Sequence, residues 1–240
     1  MARECLMQKT AAYAWNDFAE PADLADALAN EVSSHLAKAI ERRGAGFLAV
    51  SGGTTPALFF SALSKRKIAW DKVIVTLIDE RFVPASSPRS NAGLVMANLL
   101  RNEAVSARFV PLYRDDTDID HAARSEDAEL RSLPWPLDVA ILGMGADGHT
   151  ASFFPDADNL ETLLDPQSSR ILLPVHAPSA GEPRLTLTAA RIVKAGFIAL
   201  HIEGAGKRTA FEAAIEQNGK KPIGAVIDMA ATPVEVFWAP

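Results

Sequence analysis

The sequence contains almost no cysteine, no long apolar run and no excess of positive charge. Cys5 is the only cysteine among 240 residues, which excludes an intrachain disulfide and a cysteine-based zinc site. No run of about 18 apolar residues occurs, so no membrane-spanning helix is expected. The first ten residues also lack the apolar core of a secretory leader. We therefore expect a cytoplasmic protein in which Cys5 has no catalytic role.

The charge balance limits the class of partner. The chain has 24 Lys+Arg against 30 Asp+Glu, a formal net charge of −6. Nucleic-acid binding depends on cations that neutralise phosphates, so a dedicated nucleic-acid binder is not expected. A pocket for a small anion remains compatible with the balance, because a pocket can be locally positive. Hydrophobic residues make up 48%, and the length fits one large α/β domain or two small ones. The organisation of the chain favours one domain over residues 1–240.

Apolar strands alternate with helical patterns along the chain. Strands are predicted at residues 46–50, 73–78, 137–142 and 196–202. Helices are predicted from Pro21 to the stop at Gly44, and around residues 55–64, 90–102, 118–131 and 206–217. This alternation predicts a largely parallel sheet flanked by helices. Residues 155–183 are rich in Pro, Asp and Ser and are predicted to form a loop-rich insertion in one continuous domain.

Polar or glycine-rich segments follow three of the predicted strands. They are SGGT (residues 51–54), DER (79–81) and GMG (143–145). Ligands of open α/β sheets bind outside the carboxyl ends of the strands. The three segments therefore predict one composite pocket.

The segments SGGTTP (51–56) and DER (79–81) could bind phosphate. Two glycines allow backbone N–H groups to approach an anion before a helix begins; the alternative is an ordinary turn in which Thr54 or Thr55 caps the helix. Arg81 offers a forked, permanently charged donor that suits phosphate. Asp79 could orient that arginine or contact the substrate. The alternative for DER is a solvated strand end.

Residues 143–148, GMGADG, match a dinucleotide-binding pattern only formally. The acidic residue at the required distance, Asp165, does not end a second strand. The segment DGHT (147–150) is better suited to acid–base chemistry, because a carboxylate two residues from an imidazole supplies a base that titrates near neutrality. The alternative is a capped helix start in which His149 has no role.

Other catalytic patterns are missing. There is no His-x-x-x-His pair, no calcium-type carboxylate loop and no Gly-x-Ser-x-Gly turn, so we expect neither a metal nor a serine-hydrolase mechanism, and no organic cofactor. The remaining histidines lack a carboxylate at matched spacing in a glycine-rich turn: His35, His121, His176 and His201.

Taken together, these motifs resemble the 6-phosphogluconolactonase family. The matching segments are SGGTTP (51–56), DERFVP (79–84), SNAGL (90–94), LGMGADGHTASFFP (142–155) and PRLTLT (183–188). The resemblance implies hydrolysis of 6-phospho-D-glucono-1,5-lactone to 6-phosphogluconate. It also implies a Rossmann-like fold shared with sugar-phosphate deaminases and isomerases. The expected partner is a sugar-phosphate lactone, and the expected state is a monomer or weak homo-oligomer.

The resemblance also implies roles for individual residues. His149 matches the general base that activates water, and Asp147 would orient its imidazole. Backbone N–H groups near Gly145 would stabilise the oxyanion. The positions that match substrate- or phosphate-binding elements are Ser51, Gly52, Gly53, Thr54, Asp79, Arg81, Asn91, Gly145, Arg184 and Lys207.

Two other functions share part of this pattern. An amino-sugar-phosphate deaminase shares SGGT, DE and GxDGH, but it carries a glutamate where this chain has Phe154, and an aromatic residue where this chain has Arg81. A sugar-phosphate sensor of a transcriptional regulator would need a DNA-binding module. No basic helix-turn-helix segment precedes Gly46, so the sensor is disfavoured.

Overall fold

The computed structural model describes residues 12–216 and 221–240. The strands are β1 (Tyr13–Asp17), β2 (Gly46–Val50), β3 (Val73–Leu77), β4 (Asp79–Arg81), β5 (Arg108–Phe109), β6 (Val139–Leu142), β7 (Leu172–Val175), β8 (Arg184–Leu187), β9 (Phe197–Glu203) and β10 (Val234–Ala239). The helices are α1 (Pro21–Arg43), α2 (Ala57–Leu63), α3 (Asn91–Asn98), α4 (Ile119–Leu130), α5 (Leu160–Leu164), α6 (Ala189–Ile192), α7 (Ala205–Glu216) and α8 (Pro222–Met229). Cys5 lies outside the described residues. Within them, no helix is both long and apolar enough to cross a membrane.

The first helix has the boundaries that its sequence predicts. Pro21 occupies the first turn, where a missing N–H is tolerated. Leu24 and Leu28 are buried on the face toward the core. Gly44 ends the helix in the left-handed region, at φ 80°, where its N–H donates to the carbonyl of Ile40 at 2.8 Å. The apolar face of α1 packs against β2, β10 and α2.

Seven strands form the central sheet in the order β1-β10-β9-β6-β2-β3-β5, and every neighbouring pair is parallel. Strands β2 and β6 lie near its centre and are buried at every residue, as expected when helices cover both faces of a parallel sheet. The buried apolar side chains form one contiguous cluster. The predicted α/β class, with a largely parallel sheet flanked by helices, is confirmed.

A second sheet was not predicted. It has three antiparallel strands in the order β4-β8-β7. The charged residues Asp79–Arg81, expected to be the polar end of the preceding strand, form β4 themselves. Residues 155–183 are largely loop, as predicted, but they also contain α5 and β7, which were not predicted. Pro174 argues against a strand in the sequence, because proline cannot donate a ladder hydrogen bond. It is tolerated here because β7 is an edge strand of this sheet.

The arrangement of the two sheets determines where the polar segments meet. Parallel strands present their carboxyl ends at one edge, and β9, β6 and β2 are adjacent there. Strand β4 begins two residues after β3 ends, so β4 and its partner β8 flank the same edge.

Candidate active site

A cavity of about 390 Å³ opens at the carboxyl ends of β2, β6 and β9. Strands β4 and β8 contribute further lining residues. The predicted site residues that line it are Ser51, Gly52, Gly53, Thr54, Asp79, Arg81, Asn91, Gly145, His149, Arg184 and Lys207. Asp147 does not line the cavity but contacts the His149 imidazole. The three predicted segments therefore come together at one edge of the sheet.

His149 and Asp147 form a hydrogen-bonded pair. His149 Nδ1 lies 2.7 Å from Asp147 Oδ1, and the same oxygen accepts the backbone N–H of His149 at 3.2 Å. Partial burial acts to raise the pKa of Asp147, but the backbone hydrogen bond and the charge of the imidazole outweigh it, and the pKa is lowered. The carboxylate is therefore ionised at neutral pH. Because Nδ1 faces this carboxylate, we assign Nε2 as the nitrogen that can accept a proton.

The glycine-rich loop holds the His149 ring in place. A Cβ atom on Gly145 would overlap the ring of His149 and the carboxylate of Asp147. On another side, the ring of Phe154 lies 4.3 Å from the imidazole, centroid to centroid. The N–H of Gly145 donates to the carbonyl of His149 at 2.8 Å, and the N–H of Gly148 donates to the carbonyl of Gly145 at 3.1 Å. These two N–H groups are used inside the loop, so the oxyanion donors expected near Gly145 do not include them.

Glycine is required at both glycine positions of the SGGT turn. A Cβ atom on Gly52 would overlap the side chain of Asn91. Gly53 has φ +98°, a conformation that L side chains rarely adopt. The hydroxyl oxygen of Ser51 accepts the N–H of Gly143 at 3.2 Å, which links the turn after β2 to the turn after β6.

The two threonines of this turn do not cap the following helix. The N-cap position of α2 is Pro56, and no side chain makes a capping hydrogen bond there. The alternative in which Thr54 or Thr55 serves only as a helix cap is therefore wrong. Both threonines line the cavity.

Arg81 and Arg184 are cross-strand partners in the β4–β8 pair. The Arg184 guanidinium donates to the carbonyl of Ala180 at 2.9 Å and lies 5.7 Å from the centre of the Phe154 ring. Arg81 donates to the carbonyl of Arg89. Burial first, and then the charge of Arg81, lower the pKa of Arg184. Like charges directly opposite each other are destabilising, so this pair of side chains favours binding of an anion.

Asp79 is held by a serine and not by the neighbouring arginine. Its Oδ2 accepts the hydroxyl of Ser152 at 2.6 Å, and its backbone carbonyl accepts Nδ2 of Asn91 at 2.8 Å. Ser152 is fully buried. Asp79 therefore does not orient Arg81, which was one of its two expected roles. Its place in the cavity lining is compatible with the other role, contact with the substrate.

Lys207 extends from the first turn of α7 toward the loop after β6. Its Nζ donates to the carbonyl of Met144 at 2.7 Å. An ammonium group has three donors, and among the described residues only this one has a partner, which leaves two for a ligand. Lys207 is thus fixed beside the loop that carries Gly145 and His149.

Sequence reasoning missed a second histidine–carboxylate pair at the cavity. His201 and Glu203 both line it, and His201 Nε2 lies 2.9 Å from Glu203 Oε1. The His201 side chain is 3% exposed, and its Nδ1 has no hydrogen-bond partner among the described residues. Residues two apart on a strand share a face, so the spacing of these residues at the end of β9 could have indicated the pair.

In residues 12–216 and 221–240, no group of three or more His, Cys, Asp or Glu side chains is arranged to hold a metal ion.

Comparisons with known proteins indicate the same family as the sequence motifs. A family model described as "Glucosamine-6-phosphate isomerases/6-phosphogluconolactonase" matches residues 19–238. A 6-phosphogluconolactonase of Mesorhizobium japonicum is 68% identical over 240 residues, which is 100% of both chains. The crystal structure of a 6-phosphogluconolactonase from Shewanella baltica is 36% identical, with a TM-score of 0.91 over 95% of this chain and 98% of that one.

The fold extends to a more distant protein. A structure described as a monomeric glucosamine-6-phosphate deaminase has a TM-score of 0.76 over 94% of this chain and 96% of that one, at 15% identity. At that identity the likeness shows the fold alone. The full-length match to the lactonases and the family model lead to one conclusion: the chain belongs to the glucosamine-6-phosphate isomerase/6-phosphogluconolactonase family.

Proposed function

We propose that this protein hydrolyses 6-phospho-D-glucono-1,5-lactone to 6-phosphogluconate, the second step of the oxidative pentose phosphate pathway. The observation that carries the proposal is the His149–Asp147 pair in a cavity that also holds Arg81 and Arg184. The pair supplies a base, and the arginines supply cations for a phosphorylated substrate. The relatives described as 6-phosphogluconolactonases support the same assignment.

In the proposed reaction, His149 acts as general base. Nε2 of the imidazole accepts a proton from water as the water oxygen attacks the lactone carbonyl at C1. The carbonyl electrons move to oxygen, forming a tetrahedral oxyanion. When the carbonyl re-forms, the bond from C1 to the ring oxygen breaks, and the proton held by His149 passes to that oxygen. The product is the open-chain acid, which ionises to 6-phosphogluconate.

Asp147 supports each proton transfer. Its carboxylate fixes the orientation of the imidazole through Nδ1. The lowered pKa of Asp147 keeps it negatively charged, so it stabilises the imidazolium that forms during attack. General base catalysis of this kind contributes about 10²- to 10⁴-fold to the rate.

The phosphate is proposed to lie among Arg81, Lys207 and the turn from Ser51 to Thr54. Binding a dianion there would relieve the repulsion between Arg81 and its cross-strand partner Arg184. A bidentate arginine–phosphate contact is among the strongest charge-assisted hydrogen bonds. The phosphate therefore supplies the anion that the site lacks.

The deaminase alternative is not favoured by the site. Phe154 stands where the deaminases carry a glutamate for ring opening, and its ring packs against His149. A phenyl ring cannot transfer a proton. The geometry therefore supports hydrolysis over amino-sugar isomerisation.

We extend the proposal to the state of the whole protein. Residues 1–240 are proposed to act as one domain, supported by the contiguous core. The protein is further proposed to work in the cytoplasm as a monomer or weak homo-oligomer, without a metal or organic cofactor. Light scattering at two protein concentrations measures the assembly, and a stable large oligomer would contradict this expectation.

The central experiment measures acid release from freshly generated 6-phosphogluconolactone. Because this lactone also hydrolyses spontaneously, the informative quantity is the excess rate that scales with protein concentration. We expect a clear excess with the wild-type protein and none with heat-inactivated protein. Equal rates with and without protein would contradict the proposed function.

A further inference from the structure

Glu80 is the central residue of β4, and its side chain lies on the opposite face from those of its neighbours. Successive residues of a strand point to opposite faces. Asp79 and Arg81 line the cavity, whereas Glu80 does not and is completely buried.

The Glu80 carboxylate accepts four hydrogen bonds. Oε1 accepts the backbone N–H of Arg81 at 2.7 Å and that of Asn91 at 2.8 Å. Oε2 accepts the hydroxyl of Ser90 at 2.9 Å and the N–H of Ala92 at 2.7 Å. Two of these donors belong to the first turn of α3, where N–H groups have no partner inside the helix. Glu80 therefore caps α3 from a different element of the fold.

This cap controls the placement of two cavity residues. One is Arg81, whose N–H is bound directly. The other is Asn91, which donates its side-chain amide to the carbonyl of Asp79 and occupies the space where a Cβ on Gly52 would lie. The buried Glu80 carboxylate thus joins β4 to the start of α3, where the side chain of Asn91 packs against Gly52.

We propose that Glu80 is a positioning residue for the substrate phosphate: through its hydrogen bonds to Arg81 and to the start of α3, it fixes the distance between Arg81 and the Gly52 turn. The proposal rests on the proposed function, in which those two elements bind phosphate. Glu80 itself does not touch the substrate.

The hydrogen bonds around Glu80 favour its ionised form. Three of its four donors are backbone N–H groups, which cannot accept, so a carboxylate satisfies them and an amide does not. Burial is the largest effect and raises the pKa of Glu80 overall, although the hydrogen bonds from Asn91, Ala92, Ser90 and Arg81 oppose it. In Glu80→Gln, an NH₂ group at the Oε1 position would face two backbone N–H groups. At the Oε2 position it would face the N–H of Ala92, whereas the hydroxyl of Ser90 could turn to accept.

The test compares Glu80→Gln with Asp127→Asn. Asp127 is a matched control because its carboxylate is also buried and accepts two backbone N–H groups, from Ile171 at 2.6 Å and Leu172 at 3.0 Å. It does not line the cavity. The measurements are KM and kcat for 6-phosphogluconolactone, and the Kd of 6-phosphogluconate by calorimetry.

We expect Glu80→Gln to raise both KM and Kd by about tenfold, the effect of one lost hydrogen bond to a charged group, with a much smaller change in kcat. Asp127→Asn should leave KM and Kd unchanged even if its Tm falls. An unchanged KM and Kd in Glu80→Gln, or an equal rise in Asp127→Asn, would overturn the proposal.

Two further measurements keep the outcomes separate. If Glu80→Gln does not fold, Ser90→Ala decides, because it removes one of the four donors: a smaller rise in Kd supports the positioning role, and no rise overturns it. If the wild-type protein shows no excess hydrolysis, the proposed function fails. The Kd values for 6-phosphogluconate then test the phosphate-positioning role alone, with the same expected contrast between the two variants.

Discussion

Arg81 and Arg184 occupy directly opposed positions of the antiparallel pair β4–β8, and both of their side chains line the cavity. Arg184 is partly buried there, and its lowered pKa reflects burial and the charge of Arg81. Two cations in this arrangement stabilise the fold less than a neutral pair would. The arrangement is explained if the site is built to receive an anion.

Arg81→Ala should weaken binding of the phosphorylated lactone. Removing one charge-assisted contact is expected to raise KM for 6-phosphogluconolactone about tenfold or more. The effect on unphosphorylated gluconolactone, if it is turned over, should be much smaller. Exposed Arg101, which follows α3 in the sequence and does not line the cavity, supplies the control Arg101→Ala. Equal losses on both substrates would exclude a phosphate-specific role for Arg81.

His149→Ala should abolish most turnover while the affinity for 6-phosphogluconate is retained. The variant loses the base, so kcat should fall by about 10²- to 10⁴-fold. His121→Ala is a matched control, because His121 Nδ1 contacts Asp116 in an exposed pair away from the cavity. Wild-type kcat in His149→Ala would show that another group acts as base, and His201 would be the next residue to substitute.

Gly145→Ala should inactivate the enzyme through geometry alone. The added Cβ would overlap the His149 ring and the Asp147 carboxylate, so the pair must separate. We expect a loss of kcat that approaches that of His149→Ala, with circular dichroism unchanged. Gly206→Ala is the control, since nothing lies within 4 Å of a Cβ built there. Full activity in Gly145→Ala would mean that the His149–Asp147 contact is not needed.

The Asp147–His149 pair should make stability depend on pH in the acid range. The pKa of Asp147 is lower in the folded protein than its ordinary value, so its ionised form stabilises the fold above the unfolded pKa. That contribution is lost as the pH falls through the folded pKa. The difference in free energy of unfolding between wild type and Asp147→Asn should therefore be largest near neutrality and shrink in acid. Urea unfolding across a pH series measures it; a difference that stays constant would contradict the assignment.

Removal of divalent metals should not affect activity. Hydrolysis of a lactone needs a positioned water, a base and stabilisation of an oxyanion, all of which side chains and backbone can supply. Dialysis against a chelator, followed by assay in metal-free buffer, is expected to leave kcat unchanged. Activity that disappears and returns with one particular ion would make Asp147 and His149 candidate ligands and replace the direct mechanism with metal-bound hydroxide.

The parts that follow from local pattern were predictable from the sequence, and those that follow from distant pairing were not. The turns after β2 and β6 could be placed together because parallel strands end at a common edge. The DER segment was also placed at this edge, but its strand, β4, could not be predicted, because three charged residues become a strand only by pairing with the distant β8. The hydrogen bonds that Glu80 accepts could not be predicted either, because they depend on where the first turn of α3 lies in the folded structure. A search for a carboxylate in a glycine-rich turn does not find His201, because its partner Glu203 lies on the same strand.

Phe154 contacts both the catalytic and the cationic parts of the cavity: its ring packs on His149 and lies beneath the guanidinium of Arg184. A glutamate introduced at position 154 would enter as a second carboxylate near His149, within reach of the Arg184 guanidinium. An ion pair with Arg184 would draw it away from any ring-opening role, so the residue at position 154 and the arginine on β8 are coupled. Acquiring ring-opening chemistry here would require a change at both positions.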